Sequence, residues 1–149
     1  MYTRILVAVS DDAISKQALQ EAVKLAKDQQ AKLRIIYVAD EFIPGGEGIH
    51  VDFKQHEEKV RKKGQSLLNK MTAAAKKNYG QVESKLVEVI DSNDHISEKI
   101  LSEAHDWEAD LIILGTHGRS GISRLLLGSV AEEVVRNADV PVQLIHGED

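Results

Sequence analysis

Glycines and the start of a helix surround the stretch of this sequence that is best suited to bind an anion. The segment from Gly115 to Gly121 leads, through residues 122–127, into Gly128-Ser129-Val130, where a helical pattern begins. Glycine tolerates positive φ angles and lets a ligand come close to the backbone. The N–H groups and the dipole at a helix N-terminus favour phosphate, and Arg119 and Arg124 can add charge-assisted hydrogen bonds. The stretch therefore predicts a phosphate-binding loop.

The two most familiar phosphate-binding motifs do not match this loop. A Walker loop ends in Gly-Lys-Ser/Thr, whereas Gly128-Ser129 is preceded by Leu127 and followed by Val130. A dinucleotide fingerprint requires the spacing Gly-x-Gly-x-x-Gly with an acidic residue about twenty positions later. The glycines of this loop do not have that spacing. The sequence therefore argues against a P-loop NTPase and against a nicotinamide-dependent enzyme.

Several residues of the loop also have structural explanations. Ser129-x-x-Glu132 matches a capping box, so Ser129 can cap its helix instead of contacting a ligand. His117 and Arg119 can be solvated loop residues, and Arg124 is typical of a surface arginine. On the sequence alone these alternatives stay open.

Two aspartates follow the first apolar run of the chain. Asp11 and Asp12 can hold Mg²⁺ on a bound phosphate, or one of them can cap the next helix. No motif places a general base beside the glycine loop, and we assign no catalytic residue. The sequence thus predicts a site for binding without assigned catalysis.

Composition disfavours several other classes of function. The chain has 19 Lys+Arg against 24 Asp+Glu, a formal net charge of −5, whereas nucleic-acid binders usually carry a basic surface. Cysteine is absent, which excludes a disulfide framework and a cysteine zinc site. His50, Asp52 and His56 suggest a metal site, but no paired ligand motif accompanies them, and we interpret them as polar loop residues. The basic run Lys59–Lys63 is flanked by acidic residues and indicates a solvated helix face.

The elements that must position the loop alternate between short apolar runs and helical spacing. The 149 residues fit a single domain, 1–149. Apolar runs predict five strands: Ile5–Val9, Leu33–Val38, Val82–Ile90, Leu111–Leu114 and Val140–Ile145. Helical spacing follows each of the first four, with Asp94 as a candidate cap of the third helix. This alternation implies an α/β fold with a mostly parallel sheet and helices on both faces.

Such a sheet also predicts where a ligand binds. Ligands of open α/β sheets lie beyond the carboxyl ends of the strands, at the topological switch point. The strand ends to consider include Val9-Ser10-Asp11, Val38-Ala39-Asp40 and Leu114-Gly115-Thr116.

Neither a membrane span nor a signal peptide is expected. The longest apolar run, Ile5–Val9, is too short to cross a bilayer. Asp11 and Asp12 end it too early for a signal peptide. We therefore expect a cytoplasmic protein without a membrane or nucleic-acid partner.

The spacing of Gly115, Gly118 and Gly128-Ser129 resembles the nucleotide-binding signature of the universal stress protein family. Ile5–Val9 is similar to that family's first strand, Tyr37–Asp40 to the end of its second, and Asn137–Val142 to its closing strand. The resemblance covers the whole chain. It implies an open five-stranded parallel sheet of order 3-2-1-4-5, Rossmann-like and similar to the adenine nucleotide alpha hydrolases.

The resemblance also implies a site for ATP, bound with or without Mg²⁺. In the ATP-binding branch of the family, adenine lies against positions that are Ala8 and Val38 here. The phosphates lie on the glycine loop, which carries over to Gly115, His117, Gly118, Arg119, Gly128, Ser129 and Val130. The family usually has an Asp after the first strand that holds the ribose hydroxyls. This chain has Ser10 there, and Asp11 can substitute if the backbone turns it inward.

An assembly and a role follow from the same resemblance. Family members dimerise through the last strand, here Val140–Ile145, whose edge would otherwise be open. The implied function is nucleotide-dependent regulation in a stress response, acting through an unidentified protein partner. The alternatives are a slow ATPase on the same scaffold and a nucleotide-free interaction module, which Ser10 keeps open.

Overall fold

The computed structural model describes residues 1–40, 53–89, 95–116 and 128–146. Strands and helices alternate along these residues. The strands are β1 (Arg4–Val9), β2 (Lys32–Asp40), β3 (Val82–Val89), β4 (Leu111–Thr116) and β5 (Val142–His146). The helices are α1 (Ala13–Gln29), α2 (Phe53–Asn78), α3 (Ile96–Trp107) and α4 (Ser129–Asn137).

The five strands form one parallel sheet in the order β3-β2-β1-β4-β5. Strand β1 lies at its centre, with Val7 opposite Ile35 of β2 on one side and Ile113 of β4 on the other. The chain therefore winds outward in both directions from β1, and the switch point lies between β1 and β4. The predicted fold class and strand order are confirmed.

Each face of the sheet has its own core because side chains alternate along a strand. Ile5, Val7 and Val9 of β1 pack with α1 and α2 on one face. Leu6 of β1 packs on the opposite face with α3 and α4, and Ala8 is partly buried there. The apolar run of β1 is continuous because both faces are covered.

Element boundaries differ slightly from those expected. Strand β4 continues through Gly115 to Thr116, and β5 starts at Val142 instead of Val140. Pro141 lies before β5, and its carbonyl accepts the Ile112 N–H at 3.1 Å. Asp94, the candidate cap of α3, lies outside the described residues, and the N-cap of that helix is His95, which makes no side-chain capping bond.

A polar cluster fastens the amino ends of β1 and β4. One carboxylate oxygen of Asp110 accepts the Thr3 N–H at 2.8 Å, and the other accepts the Arg4 N–H at 2.9 Å. Arg4 also donates to the Trp107 carbonyl at 2.8 Å. Burial acts to raise the pKa of Asp110, but the hydrogen bonds from Thr3 and Arg4 outweigh it and hold this pKa below its ordinary value.

Candidate functional site

A pocket of about 230 Å³ opens beyond the carboxyl ends of β1 and β4, at the switch point of the sheet. Residues from β1, β2, β4, α1, α3 and α4 enclose it, together with the turn between β1 and α1. They are Ala8, Val9, Ser10, Asp12, Ile14, Ser15, Val38, Ile96, Ile100, Leu114, Gly115, Thr116 and Val130. The largest part of this lining is apolar, whereas the hydroxyls of Ser10 and Ser15 and the Asp12 carboxylate lie at the turn into α1. Such a lining suits a ligand with one flat apolar group and one polar group.

The apolar wall is built from residues that lie on the α3 and α4 face of the sheet. Ala8 and Val38 are partly buried against that core. Ile100 and Leu114 are buried at 2% and 4% exposure, so the wall is held by the core itself. Helices α3 and α4 are also tied to each other, since the Ser97 hydroxyl donates to the Glu133 carboxylate. The position of this wall is therefore fixed by the packing of the sheet against α3 and α4.

The polar end of the pocket is a hydrogen-bonded cluster of Ser10, Asp12 and Ser15. Asp12 is the N-cap of α1, and its Oδ1 accepts the Ser15 N–H at 2.6 Å. Its Oδ2 accepts the Ser10 hydroxyl at 2.6 Å. The Ser15 Oγ accepts the Ser10 N–H at 2.8 Å. The turn that joins β1 to α1 is therefore held by side chains at three points.

Gly115 marks the closest approach between β4 and α1. A Cβ atom built on Gly115 would overlap Cγ2 of Ile14 and lie 3.4 Å from the Ile14 carbonyl carbon. Ile14 is β-branched, so its Cγ2 cannot swing away without moving the start of the helix. Glycine at this position lets the first turn of α1 pack directly over the end of β4.

The start of α4 forms the side of the pocket opposite α1. Its N-cap is Gly128, with φ −59° and ψ 150°, and among the residues that the structure describes no side chain caps the helix. Ser129 is the first helical residue, so the capping-box explanation of Ser129-x-x-Glu132 is wrong. The Glu132 carboxylate instead pairs with Arg136 at 2.9 Å, one turn later. Among the described residues, the N-cap supplies no side chain to which the N–H groups of this first turn could donate.

Thr116 and His146 join the carboxyl ends of β4 and β5. Thr116 is 3% exposed and lines the pocket, and its Oγ1 lies 3.0 Å from Nδ1 of His146. The two residues are opposite each other in the strand register. His146 was not among the residues singled out from the sequence.

Negative charge collects where β1 passes into α1. Burial raises the pKa of the Tyr37 hydroxyl, and the carboxylates of Asp11 and Asp12 raise it further. Both aspartates are exposed, but Asp12 lines the pocket and caps α1, whereas Asp11 does neither. The two adjacent aspartates thus have different environments.

Five residues expected at the site line one pocket: Ala8, Ser10, Val38, Gly115 and Val130. Three more, Asp11, Gly128 and Ser129, lie at the edges of the same region without lining it. His117, Gly118 and Arg119 lie outside the described residues, as does Arg124.

The sequence reasoning missed part of the lining. Ile96 and Ile100 follow the ordinary spacing of an apolar helix face, and Ser15 looks like a residue of the first turn of α1. Nothing in the sequence separates these residues from other core and cap positions. The prediction of a solvated helix face for Lys59–Lys63 is confirmed at its four basic residues, which are exposed on α2.

The residues that the structure describes contain neither a metal-binding cluster nor a membrane-spanning helix. Among the residues that the structure describes, no three His, Asp or Glu side chains are placed to hold a metal ion. Of the suggested metal ligands, His50 and Asp52 lie outside the described residues, and His56 lies on α2. No described helix is long and apolar enough to cross a membrane.

Comparisons with known proteins agree with this architecture. The model of the universal stress protein family matches residues 1–146. A universal stress protein of Methanocaldococcus jannaschii is 30% identical over 145 residues, which cover 97% of this chain and 82% of that protein. A crystal structure of a family member from Burkholderia pseudomallei is 31% identical, with a TM-score of 0.77 and coverage of 97% and 96% of the two chains.

Two more distant structures share the fold and were solved with nucleotides. A universal stress protein in complex with cAMP is 22% identical, with a TM-score of 0.66 and coverage of 99% and 98% of the two chains. One from Archaeoglobus fulgidus in complex with dAMP is 20% identical, with a TM-score of 0.64 and coverage of 97% and 98%. Sheet order, pocket position and the family match over nearly the whole length lead to one conclusion: this chain belongs to the universal stress protein family.

Proposed function

We propose that this protein binds ATP in the pocket between β1 and β4 and acts as a nucleotide-dependent regulator. The observation that carries the proposal is the pairing of an apolar wall with a helix start whose N-cap is a glycine, so that no side chain of the described residues caps it. A nucleotide needs both features, one for its base and one for its phosphates. The complexes of related proteins with cAMP and dAMP support an adenine nucleotide as the ligand.

The adenine ring fits the apolar part of the pocket. Ala8 and Val38 lie on neighbouring strands and face the same side of the sheet. The small side chain of Ala8 leaves room for a flat ring, and Ile96 of α3 closes the wall. Burial of the ring here favours binding through the hydrophobic effect.

The phosphates belong at the start of α4. An anion at a helix N-terminus is stabilised by the N–H groups and by the helix dipole, typically by about 0.3–1 kcal/mol for the dipole alone. The φ and ψ angles of Gly128 are open to any residue, so glycine is not required there by backbone strain. Its missing side chain instead gives a phosphate group access to the backbone. His117, Gly118 and Arg119 remain predicted contacts of the phosphates.

Regulation would arise because the nucleotide favours one arrangement of the surface around the pocket. A ligand shifts such an equilibrium only as far as its affinities for the two arrangements differ. Strand β5 is an edge of the sheet with β4 on one side, and we propose that it pairs with its copy in a symmetric homodimer. A protein partner would read the nucleotide-bound surface in the cytoplasm during a stress response.

Two other functions compete with this proposal. A slow ATPase would release phosphate above a protein-free control, and the Gly128→Val variant would lose this activity. A nucleotide-free interaction module would purify without nucleotide and ignore added ATP. The exposed and uncharged Ser10 at the polar end of the pocket is the feature that favours this second alternative.

The test is calorimetric titration of ATP with Mg²⁺ into protein freed of copurified nucleotide. We expect micromolar binding by the wild type and at least tenfold weaker binding by Gly128→Val. Gly80→Val is the matched control, because a Cβ atom at Gly80 has no neighbour within 4 Å and the residue lies before β3, at the opposite end of the sheet. Equal affinity of Gly128→Val and Gly80→Val would refute the site.

A further inference from the structure

Helix α2 is basic although the chain as a whole is acidic. It contains eight Lys or Arg residues and two acidic residues, Glu57 and Glu58, whereas the chain has a formal net charge of −5. From Lys59 to the end of the helix, seven residues are basic and none is acidic. All seven are exposed. The outer side of α2 is therefore a surface of one charge sign.

Four of these residues form one line along the helix, which we call the lysine line. They follow each other at steps of four, seven and seven residues: Lys59, Lys63, Lys70 and Lys77. Such steps return to the same side of a helix with 3.6 residues per turn, and at a rise of 1.5 Å per residue the line is about 27 Å long. The buried residues of α2, among them Leu68, lie on the side that packs against the sheet. The lysine line therefore faces away from the core.

Within the described part of the chain, no carboxylate pairs with the lysine line. The ion pairs there join Arg34, Lys85 and Arg136 to glutamates of β3, α3 and α4. Lys59 and Lys63 lie one turn apart, and like charges at this spacing destabilise a helix. Lys77 complements the dipole at the end of α2, but this explanation does not extend to the other three lysines. The stability of the helix thus does not account for the line.

The opposite face of the sheet has the opposite charge. Helices α1 and α2 cover one face, and α3 and α4 cover the other. Together α3 and α4 carry five acidic and two basic residues. A single helix is about 10–12 Å across, which exceeds the Debye length of about 8 Å at physiological ionic strength. The acidic layer therefore does not cancel the charge that α2 presents to a partner.

Two kinds of anionic partner fit this surface poorly. Helices that lie on membranes insert large apolar side chains into the lipid, whereas the large exposed apolar residues among those described are Met1 and Val135, neither of them on α2. Proteins that bind single-stranded nucleic acid stack bases on aromatic side chains, and residues 54–78 contain no Phe, Tyr or Trp. The exposed residues between the lysines include Ser66, Ala73 and Ala74, which are small enough for a polypeptide to lie close to the helix.

We propose that the lysine line is a docking surface for an acidic segment of a partner protein. The inference goes beyond the proposed function, because none of the four lysines lines the nucleotide pocket and docking needs no bound nucleotide. One exposed ion pair changes an affinity by about 1.4-fold to about 5-fold. Loss of four such pairs should therefore weaken binding by about 4-fold to about 600-fold. Because these charges are exposed, added salt should weaken binding as well.

The test uses fluorescence anisotropy of a labelled peptide of ten glutamates, titrated with the full chain at low ionic strength. An extended peptide of this length spans about 33–36 Å, which is enough to cover the line. The line variant combines Lys59→Gln, Lys63→Gln, Lys70→Gln and Lys77→Gln. The matched control removes four exposed lysines outside α2, through Lys16→Gln, Lys24→Gln, Lys27→Gln and Lys32→Gln. Circular dichroism verifies that both variants are folded, and ATP titration of the line variant should match the wild type.

We expect the line variant to bind the peptide at least about fourfold more weakly than the control does. A smaller difference, or no peptide binding by folded wild-type protein, would overturn the inference. Arginine at the same four positions should preserve binding, and a loss of binding there would show that charge is not what the partner recognises. Tighter binding of a ten-nucleotide RNA, or of phosphatidylserine vesicles at equal negative charge, would assign the surface to those partners instead. None of these results affects the proposed nucleotide site.

Discussion

Substitution of Gly115 by alanine tests whether close packing between β4 and α1 builds the pocket. The new Cβ would overlap Cγ2 of Ile14, and its backbone neighbour at 3.4 Å is an ordinary contact. The strain is therefore confined to one methyl group. Forcing an extra carbon into a packed site costs about 1–3 kcal/mol. At about 2–4 °C of Tm per kcal/mol for a domain of this size, we expect Gly115→Ala to lower the Tm by about 2–12 °C.

The assay is thermal unfolding, followed by circular dichroism, of the wild type and four variants. Gly80→Ala is the control, because a Cβ atom there meets nothing within 4 Å, and its expected effect is neutral or slightly stabilising. In Ile14→Ala the clashing methyl group is absent, so adding Gly115→Ala to that background should cost much less than it does in the wild type. The coupling is the difference between the two costs. Additive losses, or a Gly115→Ala protein as stable as Gly80→Ala, would refute the reasoning.

Three further predictions concern the cap, the fastening of the strands and the assembly. Asp12→Ala should lower the free energy of unfolding by about 0.5–2 kcal/mol in urea titrations, while Asp12→Asn should stay near the wild type, because only the alanine removes the cap of α1. The lowered pKa of Asp110 means that its ionised form stabilises the folded state above its ordinary pKa of 3.8, and that this contribution is lost as the pH falls through the lower pKa of the folded state. The stability difference between wild type and Asp110→Asn should accordingly be large at pH 7 and shrink below pH 3.8; a difference independent of pH would contradict this explanation. Sedimentation should give the mass of two chains at micromolar concentration, and a mass of one chain would contradict pairing through β5.

The sheet could be predicted from the sequence because its strands carry a strong signal. Residues 5–9 and 111–114 are apolar without interruption, as strands covered on both faces must be. The mixed polarity of residues 82–90 is typical of a strand at the edge of a sheet, and β3 is an edge strand. Exact strand ends were less predictable: Gly115 belongs to β4 because it pairs with Ile145 of β5, which is a contact between distant parts of the chain.

The candidate site could be predicted in part. Ala8, Ser10, Val38, Gly115 and Val130 were expected and line one pocket. The network that fixes the Ser10 hydroxyl could not be predicted, because the sequence allowed Asp11 or Asp12 to be the cap and said nothing of Ser15. The choice depends on the φ and ψ angles of Asp12, which are extended at −151° and 166°.

The same limit applies to the start of α4. Ser129-x-x-Glu132 satisfies the pattern of a capping box, yet the helix begins one residue earlier than that pattern requires, at Ser129 itself. A pattern of residue types does not determine which residue is the first with helical angles. Here the difference of one residue makes Gly128 the N-cap, so no side chain of the described residues caps the first N–H groups of α4, and the proposed phosphate site rests on this feature.

Amide chemical shifts during titration with ATP and Mg²⁺ test the central claim most directly, because they locate the ligand as well as detect it. The account predicts saturable shifts of the backbone amides at Ala8, Ser10, Val38, Gly115 and Val130, which line the pocket at the switch point. Gly80, at the opposite end of the sheet, should not shift. Saturable changes confined to other parts of the fold, or no changes in folded and nucleotide-free protein, would contradict it.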